Sequence, residues 1–89
     1  MQIPKLKVLV EAGAVRQVAV RYAADAGGWT VQVTYASRRG ERCEVLERQR
    51  GGTRVFATLD AVARCLVGLG LPAFRVDVTG LTSVGDEPP

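Results

Sequence analysis

The sequence predicts an α+β two-layer sandwich, an antiparallel sheet of three to four strands packed on one face by one or two helices, in the order α-β-β-β-α-β. Three observations predict it. Residues 14–22 and 29–36 alternate apolar and polar with period two around a glycine-bearing turn, which is the pattern of a hairpin. Residues 58–70 hold a cap, an apolar stripe at helical spacing and a glycine stop. Strand-like runs lie before that helix and one follows it, so the strands form one layer and the helix covers it.

Each element has its own local warrant. Residues 3–13 form a short helix: Pro4 suits a first-turn position, where its missing N–H costs nothing, Leu6, Leu9 and Val10 make a narrow stripe, and Gly13 stops it. In 14–22, Val18, Val20 and Tyr22 share one face and Gln17, Ala19 and Arg21 the other. Residues 25–28, Asp-Ala-Gly-Gly, turn the chain. In 29–36, Trp29, Val31, Val33 and Tyr35 oppose Thr30, Gln32 and Thr34. A basic turn at 37–41 leads to a third strand, 42–50, where Cys43 and Val45 share a face, Leu46 falls on the other, and a bulge near 45–46 would restore the pattern.

The segment 54–56 then delivers Phe56 to the core. Thr58 is the expected N-cap, and Asp60 sits in the first turn, where the helix dipole favours negative charge. Leu59, Val62, Ala63, Leu66 and Leu69 form the buried face; Gly70 and Pro72 end the helix. Residues 73–79 read as a last strand at a sheet edge, with Phe74, Val76 and Val78 inward. Residues 80–89 read as a tail. The expected organisation is one domain over 1–81 and a flexible C-terminal tail over 82–89.

The chain has 89 residues, enough for one core and too few for a cleft between two domains. No apolar run approaches the roughly 20 residues of a membrane span. The first residues lack a signal-peptide layout, so the expected compartment is the cytoplasm. Cys43 and Cys65 are expected reduced, as small apolar residues in or near the core. Two cysteines without histidine do not make a zinc site, and no cofactor is expected. The lack of histidine removes the commonest general base, the carboxylates show no converging spacing, and Gly27-Gly28 and Gly51-Gly52 are turn glycines rather than a phosphate loop. No enzyme activity is expected.

The net charge of +3 is unevenly placed. Residues 38–54 hold six arginines (38, 39, 42, 48, 50, 54) against three glutamates (41, 44, 47), which equals the whole net charge. Ten of the twelve basic residues are arginine, whose planar fork suits phosphate and guanine edges. The candidate nucleic-acid-binding residues are Arg21, Gln32, Arg38, Arg39, Arg42, Arg48 and Arg50. A polar sheet face carrying Arg21, Thr30, Gln32 and Thr34 could lie in a DNA groove while turn arginines hold phosphates. An ordinary solvated sheet face explains the same polarity, and the glutamates fit cross-strand pairing. A second candidate surface is the small, apolar outer face of the helix, with Ala61, Arg64, Cys65, Val67 and Gly68. It is either a contact face for the first helix or a second subunit, or simply buried.

Four stretches carry a family resemblance: I-P-K-L-K-x-L-V-E-A-G at 3–13, G-G-W-T-V-Q-V at 27–33, R-V-F-A-T-L-D-A-V-A-R-C-L-x-x-L-G at 54–70, and A-F-R-V-D-V-T-G at 73–80. Together they resemble the small ParC-type partition-associated proteins of plasmids and integrative elements of proteobacteria, which are unrelated to the topoisomerase subunit of that name. The resemblance implies an accessory of a DNA partition or element-maintenance locus, with DNA or other partition proteins as partners. It carries no catalytic motif. Phe56, Thr58 and the helix through Leu66 also resemble the Arm-type DNA-binding domain of tyrosine integrases. That resemblance implies DNA reading by a sheet face, here Arg21, Gln32 and the Arg42–Arg50 strand. The first helix, the last strand, and Glu44 and Glu47 depart from it. Two functions stand: a homodimeric, DNA-associated maintenance protein, and a protein–protein adaptor without nucleic acid that uses the apolar helix face or a sheet edge.

Overall fold

The structure, a computed structural model, describes residues 1–82. The elements are α1 (Ile3–Glu11), β1 (Val15–Ala23), β2 (Gly28–Ser37), β3 (Gly40–Val45), α2 (Leu59–Gly68), β4 (Arg75–Asp77) and α3 (Thr79–Thr82). The expected α+β order is present, with one short helix added. The four strands form one sheet in the order β3-β2-β1-β4.

The hairpin follows the predicted alternation. Val18 faces Val33 and Val20 faces Val31 across the antiparallel β1–β2 pair. These four, with Trp29, Tyr35, Leu6, Leu46, Phe56, Val62 and Leu66, belong to the buried cluster. Both long helices therefore cover one face of the sheet, and the face with Gln17, Ala19, Arg21, Thr30, Gln32 and Thr34 is left uncovered. Thr58 accepts a hydrogen bond from the Ala61 N–H at 3.1 Å, and Gly70 takes a left-handed φ of +89°, so α2 starts and stops as its sequence dictates.

Four expectations are corrected. First, the sheet is mixed. β4 lies parallel to β1, with Val20 opposite Val76, because α2 carries the chain across to the far edge and the return runs in the same direction. Second, β4 is only three residues long, and Val76 and Val78 are 42% and 47% exposed; Phe74 alone of the three packs against the core. Third, β3 has no bulge at 45–46. Arg42, Glu44 and Leu46 share the covered face, opposite Tyr35, Val33 and the Val31 carbonyl, which accepts the Leu46 N–H at 2.7 Å. Cys43 and Val45 therefore face outward, and Cys43 is exposed rather than in the core. Cys65 packs half-buried under the opposite face, so the sheet separates the two free cysteines. Fourth, residues 79–82 form α3 instead of beginning a tail, and Gly80 packs against the Tyr22 carbonyl. The rest of the expected tail lies outside the described residues.

The bulge occurs in β1. Val15 pairs with Tyr35 and Gln17 with Thr34, so Arg16 is the extra residue. Beyond β3 the chain makes a glycine loop and returns. Phe56 then exchanges both backbone hydrogen bonds with Trp29 at 2.8 Å, filling the place beside β2 that β3 vacates.

Candidate nucleic-acid interface

The seven candidate residues do not form one patch. Arg21 and Gln32 lie on the outer sheet face, in register with Thr30 and Ala19. Arg42 projects from the opposite face, because its partner is the buried Tyr35. Arg38 and Arg39 form the β2–β3 turn. Arg48 and Arg50 lie past the other end of β3, and the five residue steps of that strand separate the two groups by about 17 Å. The sheet-face mapping implied by the Arm-type resemblance thus finds only Arg21 and Gln32 on that face.

Several of these arginines already have work within the fold. The Arg21 guanidinium pairs with Asp77 at 3.5 Å and closes the β1–β4 seam. The side chain of Thr79 first, then its N–H, which donates to Asp77 at 2.9 Å, and last the Arg21 charge hold that carboxyl below its ordinary value. Arg48 folds back on its own loop, where its Nε donates to the Gly51 carbonyl at 3.3 Å. Gln2 donates to the Arg48 and Gln49 carbonyls and fastens the loop to the start of α1. Arg54 stacks over the Phe56 ring at 4.7 Å.

Arg38 and Arg39 make no side-chain contact with a carboxylate among the described residues. Their turn is pinned: the Ser37 hydroxyl donates to the Gly40 carbonyl at 2.7 Å and accepts from the Arg39 N–H at 3.3 Å. Gly40, with φ of +108°, supplies the conformation that closes it. A third arginine joins them that sequence reading did not single out. The bulge re-aims Arg16, whose guanidinium donates to the Gly13 carbonyl at 3.0 Å. Ala36 donates its N–H to the Ala14 carbonyl, so the start of β1 lies beside the end of β2 that leads into the arginine turn. The sequence carries almost no sign of this, since alternation over 14–22 gives no hint of an extra residue.

The glutamates of the basic segment behave differently from one another. Glu44, on the covered face at the sheet edge, accepts from the Tyr35 hydroxyl and from Lys5 Nζ at 3.0 Å, and lies 3.5 Å from the Met1 ammonium. The Tyr35 hydrogen bond and then the Lys5 contact bring its pKa from 4.5 down to about 2. The same bonds, Glu44 first, push Lys5 upward. Glu47 lies 3.8 Å from the Met1 ammonium. Two of the three glutamates in the basic segment are thus engaged by Lys5 of α1 and the Met1 ammonium, and neither pairs with the arginine turn.

On the outer face, an open groove of about 510 Å³ runs along the β1–β4 seam, lined by Gln17, Ala19, Arg21, Arg75, Asp77 and neighbours. Its charges are mixed. No group of three or more metal-ligating side chains comes together among the described residues, and no helix among them is long and apolar enough to cross a membrane.

The family model described as ParC-like matches residues 1–83. No curated protein and no solved structure matches the chain.

Proposed function

The chain belongs to the ParC-like family, and on that premise we propose that it is a small, non-enzymatic, cytoplasmic accessory protein of a system that partitions or maintains a plasmid or other mobile element, acting on DNA through exposed arginines. The observation that carries the DNA part is the pinned β2–β3 turn. It presents Arg38 and Arg39 to solvent with no carboxylate partner, while the nearby Glu44 is held by Lys5, Tyr35 and the Met1 ammonium. Unpaired guanidinium groups on a rigid turn release counterions when they meet phosphate.

The test of the maintenance role is retention of the element. Deleting the coding sequence should raise the rate at which the element is lost without selection, and supplying the protein in trans should restore retention. Unchanged loss over many generations would overturn the reading.

A second reading rests on its own observation. Val8 on α1 and Val67 on α2 are 64% and 63% exposed, on the outward faces of the two helices. Gly68 beside Val67 has nothing within 4 Å of where a Cβ would stand. This surface favours a protein contact, either a second copy or another partition protein. Charge reversal at Arg38 and Arg39 separates the readings: it abolishes DNA binding in the first and leaves partner binding unchanged in the second.

A further inference from the structure

We propose that one end of the sheet, formed by Arg16, Arg38 and Arg39, is a grip for the phosphodiester backbone of duplex DNA, and that the outer sheet face does not read bases. This inference rests on the DNA-binding reading above and assigns its site.

Four observations lead to it. The start of β1, with its bulge, and the β2–β3 turn place three arginines from two separate stretches of sequence at one end of the sheet. The backbone beneath them is fixed, by the Arg16 bond to Gly13, the two Ser37 bonds across the turn and the Ala36–Ala14 bond. Fixed donors lose less freedom on binding than mobile ones. The carboxylates of this end are Glu11 and Glu41, and neither pairs with the three arginines. Finally, of the other arginines of the basic segment, Arg54 is stacked on Phe56, Arg42 stands on the covered side of the sheet, and Arg48 and Arg50 lie past the far end of β3.

The geometry also argues against base reading. A sheet face that enters a groove needs free donors and acceptors along its strands. Here Arg21 is tied to Asp77, and Thr30 donates its hydroxyl to the Arg21 carbonyl at 3.3 Å. Ala19, Ala36, Cys43 and Val45 contribute little to read with. Arg16 and Arg75 line one shallow groove together with Gln17, Val18, Ala73 and Phe74, which adds one positive residue beside Arg16. The contact is therefore sequence-tolerant and small, covering three or four phosphates.

The experiment is fluorescence anisotropy of labelled duplex DNA against the full chain across a salt series. Three phosphates predict a slope of log K against log salt of about −2.7, and four about −3.6. R38A/R39A should flatten the slope by about 1.8 and R16A by about 0.9. The charge-matched control R50A/R64A, and Q32A, should leave slope and affinity within twofold of the parent. Circular dichroism melting checks that each variant is folded. If R50A/R64A lowers the slope as much as R38A/R39A, or if Q32A removes a preference among duplexes of different sequence, the assignment to this end is wrong while DNA binding stands. If the parent chain binds no duplex at low salt, the DNA-binding reading itself fails, and this grip with it.

Discussion

Glu44 shows how one residue sets the edge of this sheet. A carboxylate on the covered face would be costly without partners. Tyr35, Lys5 and the Met1 ammonium supply them, and the pKa falls to about 2. A carboxyl depressed in the folded state contributes stability above its unfolded value, here about 4.5, and that contribution is lost as pH falls towards 2. Thermal melts from pH 6 to pH 2 should show this acid limb, and E44Q should flatten it while costing about 1 kcal/mol at neutral pH, a value discounted for partial exposure. A parallel decline in both proteins would mean that other groups set the limb. Gly28 poses a steric problem instead. A Cβ there would stand 2.6 Å from the Phe56 carbonyl oxygen, which is backbone and cannot swing away. Gly28→Ala should therefore destabilise by about 1–3 kcal/mol in urea titrations. Unaltered stability would show that the Phe56 segment gives way. The sequence marks Gly28 as a turn residue, but not the close approach of a segment 28 positions later.

At the scale of elements, legibility follows the source of the signal. The β1–β2 hairpin and α2 are visible in the sequence because apolar spacing and capping chemistry are local. Their buried faces are those the alternation and the helical stripe predict. Thr58→Ala removes the hydroxyl that accepts from Ala61, and should cost about 1 kcal/mol by equilibrium unfolding. Glycine at the same position should recover most of that loss. β3 is not legible in the sequence because its inward positions, Arg42 and Glu44, are charged and its outward ones, Cys43 and Val45, are apolar, the reverse of the usual code. Nothing local to Glu44 announces that Lys5 and Tyr35 will meet it. The parallel pairing of β4 was equally hidden, since strand order depends on where α2 carries the chain. The β1 bulge that recruits Arg16 leaves almost no trace in composition.

Over the whole molecule, the arginines that cluster in sequence are divided by the fold. β3 holds Arg38 and Arg39 at one end and Arg48 and Arg50 past the other, so a segment with half the basic residues of the chain does not become one basic surface. What the structure gathers is a smaller group, joined by an arginine from a different strand. The exposed valines of α1 and α2 lie on the helix side of the sheet, apart from the outer face, which leaves room for a protein contact alongside a nucleic-acid contact. Sedimentation of the full chain should therefore show the same oligomeric state with and without the R38A/R39A change. A shift to a smaller species would place those arginines in a subunit contact.

The central claim is that arginines at one end of this sheet meet DNA phosphate. The most direct test is anisotropy of a labelled duplex with the unmodified chain at low and at physiological salt. Clear binding at low salt that weakens with a slope of log K against log salt of about −2.7, roughly 500-fold for each tenfold rise in salt, is the expected result, and no binding at low salt, or binding that does not change with salt, would contradict the claim.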